Sequence, residues 1–175
     1  MATRLYLSAA AETVPISPAP DSGWEDISIL ARCLCGTSKR GLAMTTVSFS
    51  DSNLTNKDIL FRQYISPPLV AGITWDFGEV DTPLVKINAV CRVIQTNPSN
   101  NMFFTLGIRI IASNGTTVRR TLLNVTRDYL EASDTLFQSR AINDADGVFC
   151  SAGSYTTQAG DRLVIEIGMG GDPVG

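Results

Sequence analysis

The stretch from Asn101 to Val125 constrains the fold more than any other part of the chain. Phe104, Leu106, Ile108 and Ile110 alternate with Thr105, Gly107 and Arg109, which is the two-residue period of a strand with one face buried. Asn114-Gly115 follows, and both residues tolerate the positive φ that a tight hairpin turn demands. The stretch therefore predicts an antiparallel hairpin. A two-residue loop at Asn114-Gly115 pairs Leu106 with Leu123 and Phe104 with Val125, and sets Arg109 opposite Arg120 on the other face. Like charges facing each other are tolerable only in water, so that second face is expected to be solvated. A three-residue loop would reverse the faces of the second strand, so the register hangs on loop length.

Further segments read as strands. Thr3 to Leu7 is a short apolar candidate, and Ala43 to Phe49 alternates. Ile59 to Ile65 is stopped by Ser66-Pro67-Pro68, Gly72 to Val80 carries Trp75 and Phe77 on one face, and Pro83 to Ile94 has one apolar face. Val148 to Tyr155 is a weaker candidate, whereas Leu163, Ile165 and Ile167 make Asp161 to Gly168 a strong one. Trp24 to Cys35 fits a helix face as well as a strand. Arg127 to Ala145 has weak periodicity and reads as a long connection or a short helical piece. Roughly eight short strands without a long helix indicate an all-β fold, an antiparallel β-sandwich of jelly-roll type. Hydrophobic residues make up 44% of the 175, enough for one domain with its own core.

The ends depart from this pattern. Pro15, Pro18 and Pro20 fall within Thr13 to Gly23, a density that forbids a helix or a central strand. Residues 1–23 are therefore read as an extended N-terminal arm, and 24–175 as the sandwich domain. Trp24 closes the arm and anchors it, either on its own sandwich or on a neighbouring copy. Val14, Pro15, Ile16, Pro18 and Trp24 are the candidate partner-binding residues. Gly168 to Gly175 is glycine-rich, and a sandwich would normally close with a further strand. That strand is expected from the arm, from a neighbouring subunit, or from a continuation of the chain.

Several function classes find no support. The net charge is −3, which offers no electrostatic reason to bind nucleic acid. No run approaches the length of a membrane span, and the N-terminus lacks the apolar core of a secretion signal, so a cytoplasmic product is expected. Histidine is absent, which removes the commonest general base and metal ligand. Cys33, Cys35, Cys91 and Cys150 are expected to be reduced, mostly buried thiols, and Cys33, Cys91 and Cys150 to be unbridged and metal-free, because a single close pair is poor zinc spacing. Asp144 and Asp146 before Gly147 suggest the start of a calcium loop, but no closing glutamate follows, and an Asp-Gly turn is the simpler reading. Asp76 and Glu79 beside Trp75 would suit a glycosidase pair, yet Trp75 and Phe77 share a core-facing pattern. No catalytic residue, cofactor or metal is expected.

The opening Met-Ala-Thr-Arg-Leu-Tyr-Leu, followed by Pro-Ile-Ser-Pro and Gly-Trp-Glu, resembles the start of virion structural proteins of tailed bacteriophages. Ile59-Leu-Phe-Arg-Gln-Tyr-Ile-Ser-Pro-Pro-Leu, Gly115-Thr-Thr-Val-Arg-Arg-Thr-Leu-Leu and Ala159-Gly-Asp-Arg-Leu-Val-Ile-Glu-Ile-Gly continue the likeness over most of the chain. The resemblance carries no functional residue. It implies a non-enzymatic particle component, tail- or fibre-associated or decorating the capsid, made in the host cytoplasm and found in the virion. Its partners would be other virion proteins and copies of itself. The alternative from the residues is a carbohydrate-binding module contacting a surface glycan, which requires exposed aromatic rings.

Overall fold

The computed structural model describes residues 5–11, 13–36, 57–79, 82–83, 87–91, 100–131, 138–142 and 153–173. Among them the chain is all-β and contains no helix. The strands are β1 (Tyr6–Ala11), β2 (Ala31–Gly36), β3 (Lys57–Ile65), β4 (Thr74–Asp76), β5 (Gly78–Glu79), β6 (Thr82–Pro83), β7 (Ile87–Cys91), β8 (Asn100–Ile111), β9 (Val118–Glu131), β10 (Gln138–Ile142), β11 (Ser154–Thr156) and β12 (Arg162–Pro173). One six-stranded sheet runs in the order β1-β2-β3-β12-β8-β9, and β10-β7, β11-β4 and β5-β6 form two-stranded ladders.

The large sheet is mixed, which corrects the purely antiparallel expectation. β2 runs parallel to β3, and the segment between them is long enough for the crossover that a parallel pair needs. Residues 37–56 of that crossover, with the expected strand at Ala43 to Phe49, lie outside the described residues.

β12 is the axis of the sheet. It pairs antiparallel with β3 on one side and with β8 on the other, from Arg162↔Ile111 to Pro173↔Asn100. The glycine-rich stretch from Gly168 to Gly171 is therefore the middle of a sheet and not an unclosed edge. Close packing explains the composition. A Cβ on Gly168 would lie 1.9 Å from the Ile59 carbonyl oxygen and 2.5 Å from the Trp24 ring. One on Gly170 would lie 2.4 Å from both Arg127 Nε and Asp58 Oδ1.

The predicted hairpin exists as β8 and β9, with a different register. Ala112 to Thr117 separates the strands, closed by Gly115 N–H to Ala112 O (3.0 Å) and Ala112 N–H to Thr117 O (2.8 Å). Gly115 takes φ +75°, the positive φ that the Asn-Gly pair predicted. Asn114 Oδ1 accepts from the Thr116 and Thr117 N–H groups, both at 3.0 Å, which stabilises the wider loop. Ile108 pairs with Leu123, Arg109 with Thr121 and Ile110 with Arg120, and the ladder shifts register at several points. Each shift changes which face the next residue occupies. Of the span from Arg127 to Ala145, read as a long connection or short helical piece, 127–131 belong to β9 and 138–142 form β10, and the rest lies outside the described residues.

Leu106, Ile108, Ile110 and Leu163 lie on one face of the sheet and form the main core with Phe77, Leu122 and Leu123. Trp75, Tyr155, Leu69, Ile165 and Ile167 pack around it. Trp75 and Tyr155 are direct cross-strand partners in the β11-β4 ladder, and the Trp75 and Phe77 ring centroids are 6.3 Å apart. The expected shared core role of Trp75 and Phe77 is what the structure shows. A smaller cluster of Cys33, Cys35 and Tyr64 extends this core toward β1, where Leu7 packs against it.

Candidate functional site

The opposite face of the sheet holds the polar cluster of interest. β12 alternates, so Glu166 points away from the core that Ile165 and Ile167 join. It pairs in register with Gln63 on β3 and Gly107 on β8. Two residues further along β8, Arg109 shares that face. Glu166 and Gln63 are fully buried, and Arg109 is 4% exposed. This overturns the solvated second face and the Arg109–Arg120 opposition. Arg120 instead lies over the Phe77 ring, 5.6 Å from its centroid, on the core side.

Arg109 donates to both oxygens of Glu166, each at 2.9 Å, the two-pronged geometry that suits a guanidinium and a carboxylate. Gln63 Nε2 donates to Glu166 Oε1 at 2.9 Å, and Trp24 Nε1 donates to Oε2 at 2.8 Å. The Asp21 N–H lies 3.3 and 3.1 Å from the two oxygens. Taking an ion pair out of water costs several kcal/mol per charge, and attraction recovers that cost only where the remaining hydrogen-bonding capacity is filled. Around Glu166 it is filled.

The arm supplies much of that filling. Arg109 donates to the Ala19 carbonyl and lies 3.5 Å from Asp21 Oδ2. The Pro18 carbonyl accepts from Gln63 Nε2 at 3.2 Å and from Arg32 Nη2 at 3.3 Å. Arg32 Nε also donates to Gln63 Oε1 at 3.0 Å. The proline-rich segment cannot join a ladder, so its carbonyls are satisfied by side chains projecting from the sheet.

The arm runs along the strands of this face. Ile16 lies against the hairpin tip, where a Cβ on Gly115 would be 3.5 Å from Ile16 Cβ. Gly23 lies against Val125 with no room for a side chain, since its Cβ would be 2.8 Å from Val125 Cβ. Trp24 then covers Gly168. Beyond it Arg127 Nε pairs with Asp58 Oδ1 at 2.9 Å, and Thr105 Oγ1 donates to the same oxygen at 3.1 Å. Gly168 lies beneath Trp24 and Gly170 beneath the Arg127–Asp58 pair.

Of the candidate partner-binding residues, Pro18 and Trp24 are buried on the chain's own sheet, Val14 and Ile16 are half-buried, and Pro15 is exposed. Trp24 thus takes the own-sheet alternative. Residues 6–11 of the expected arm are a sheet strand. The sequence reading missed Arg109, Glu166 and Gln63. The available signal was a charged residue on the alternate face of each of the two strongest strands.

The remaining candidates are placed as follows. Cys33 and Cys35 are free and buried, and burial pushes the Cys35 thiol up to about 11. Arg62 Nη1 is 2.9 Å from Cys33 Sγ. The side chains of Cys91 and Cys150 and the Asn143-Gly147 loop lie outside the described residues. Asp76 is exposed and accepts the Gly78 N–H at 2.9 Å, a local turn, and the Glu79 side chain is not described. Among the described residues no three His, Cys, Asp or Glu side chains gather as a metal site. A second polar cluster ties β11 to the start of β12. Tyr155 donates its hydroxyl to Asp161 Oδ2 at 2.6 Å, and Arg119 Nε lies 3.5 Å from Asp161 Oδ1. Burial first, then that hydrogen bond and the Asp161 charge, push the Tyr155 hydroxyl up to about 12.

Of the aromatic rings available for a glycan platform, Trp24 and Tyr64 are buried. Trp75 and Tyr155 are half-buried against the apolar core.

Compared with family models, with curated proteins and with solved structures, the chain matches none.

Proposed function

We propose that the protein is a non-enzymatic structural component of a tailed-phage particle, acting through contacts with copies of itself and with other virion proteins. The finer fold belongs to the same reading. The six-stranded sheet is one layer of a jelly-roll-type sandwich, and the β11-β4 ladder belongs to the layer stacked on its apolar face. One observation carries the functional reading. The main buried charge cluster, Arg109 and Glu166 with Gln63, spends its hydrogen bonds on positioning a backbone segment. A general acid or base needs a lone pair or proton that a substrate can reach, and the Glu166 oxygens are taken up by donors of the chain itself.

One further feature supports contact rather than chemistry. The resemblance to virion proteins runs through the same hairpin and the same central strand. The experiment is mass spectrometry of purified particles together with immunogold labelling. The protein should be recovered at fixed stoichiometry and labelled at one location on the particle. Its absence from washed particles would overturn the proposal.

A further inference from the structure

We propose that Asn114 is a deamidation site controlled by the hairpin tip: the closed turn withholds its amide from reaction, and opening of the turn releases it to a form that cannot close again. Asn114-Gly115 is the one Asn-Gly pair in the chain. The site lies apart from the Arg109–Glu166 cluster, and the proposal stands or falls independently of the particle reading.

The reaction needs only water as co-reactant. The Gly115 backbone nitrogen gives up its proton and attacks Asn114 Cγ. The Cγ–Nδ2 bond breaks, and ammonia leaves, carrying that proton through solvent, as a succinimide ring closes. Water then opens the ring. Attack at Cγ gives aspartate with the main chain intact, and attack at the Asn114 main-chain carbonyl gives isoaspartate, with the chain rerouted through the side chain. One water enters the ring, one ammonia is lost, and nothing is oxidised or reduced. Glycine after the asparagine favours the first step, because no side chain obstructs the nucleophile.

Three observations show how the closed turn prevents this. The Gly115 N–H, which must become the nucleophile, donates to the Ala112 carbonyl at 3.0 Å. Gly115 is buried although it sits at the tip, because Ile16 lies against it, 3.5 Å from where a Cβ would stand. The Asn114 amide is held at both atoms: Oδ1 accepts the Thr116 and Thr117 N–H groups, each at 3.0 Å, and Nδ2 donates to Thr117 Oγ1 at 2.9 Å. Turning Cγ onto the Gly115 nitrogen gives up these bonds together. Asn114, Thr116 and Thr117 are exposed, so the contacts that keep the turn shut are of the kind that opens locally without global unfolding. The two products differ in what they allow. Aspartate keeps an acceptor for Thr116 and Thr117, whereas isoaspartate adds one carbon to the main chain of the loop, and the Gly115–Ala112 closure is lost.

The test incubates the full wild-type chain in mildly alkaline buffer, with and without denaturant. The peptide bearing Asn114 is followed by mass mapping, with isoaspartate separated from aspartate by chromatography. Deamidation should be slower by about tenfold or more in the folded protein. Thr117→Val removes the acceptor for Nδ2 and should speed the reaction of the folded protein by about two- to tenfold, the equivalent of one neutral hydrogen bond, with the rate in denaturant unchanged. Should that variant fail to fold, the wild-type comparison decides alone. The isoaspartate form, made in denaturant and refolded, should have a lowered denaturation midpoint. Equal rates in the folded and unfolded chain would overturn the proposal, and so would a faster folded reaction, in which Thr116 and Thr117 polarise the amide instead of restraining it. A Thr117→Val rate equal to wild type, or an isoaspartate form with the wild-type midpoint, would overturn it as well.

Discussion

The two faces of the six-stranded sheet are covered by different means. One face carries Leu106, Ile108, Ile110 and Leu163 against Phe77, and non-directional burial holds it together. The other carries Arg109, Gln63 and Glu166 beneath a segment that has no ladder of its own. An apolar cover needs a matching pattern, which a proline arm lacks. A polar face can instead satisfy the arm's carbonyls and N–H groups one by one, and so fixes one path for it across the sheet. The apolar face supplies stability, and the polar face supplies position.

The largest expected effect separates the two directly. Glu166→Ala leaves Arg109 buried without its main partner and should cost about 3–5 kcal/mol by chemical denaturation. Leu106→Ala, on the apolar face, should cost about 2–5 kcal/mol by leaving a cavity. The difference appears in the repair. Arg109→Met with Glu166→Leu should cost clearly less than the sum of the two single changes, because neither charge is then stranded. Additive costs would break the comparison.

A smaller effect tests the floor of the polar face. Gly168→Ala places a Cβ into the Ile59 carbonyl and the Trp24 ring, and overpacking of this kind should cost about 1–3 kcal/mol. Trp24 fluorescence should change with it. An unchanged spectrum and midpoint would mean that Trp24 does not rest there. Arg127→Ala, which removes a pair whose side chains are 26% and 21% exposed, should cost no more than about 1 kcal/mol.

The smallest effect belongs to the apolar side. Tyr155 binds its proton more tightly when folded, at about 12 against 10.0. Its contribution is therefore complete below pH 10 and disappears as pH rises through about 12. Tyr155→Phe should flatten that part of the alkaline stability curve, measured as denaturation midpoint against pH. An identical decline in both proteins would remove the Tyr155–Asp161 link from the account. By the same logic, the Cys35 thiol at about 11 should resist alkylation near neutral pH until the chain unfolds, as read by mass.

The sequence made the apolar face legible and hid the polar one. Alternation in Phe104 to Ile110 and in Leu163 to Ile167 announced β8 and β12, because period-two burial leaves a direct trace. Register was not legible: the Asn114 side chain stabilises a wider loop, and the ladder irregularities come from packing that no local pattern records. Gly168 to Gly175 read as an end that leaves the sandwich unclosed, because the close approach of Trp24 and Arg127 to Gly168 and Gly170 is a tertiary fact. Arg109 was assigned to water by the rule that like charges face each other only in solvent, because the expected register set it opposite Arg120. The rule failed because the arm covers that face, and an arm without periodicity gives no sign of where it docks.

The central claim is that Glu166 holds the arm on the sheet, and hydrogen exchange followed by NMR tests it most directly. In the wild-type protein the Asp21 amide and the Trp24 indole N–H, both donors to Glu166, should be protected. In Glu166→Gln that protection should fall by about tenfold or more, while the β12-β8 ladder amides keep theirs. Equal protection of Asp21 and Trp24 in both proteins, or loss spread evenly over the sheet, would contradict it.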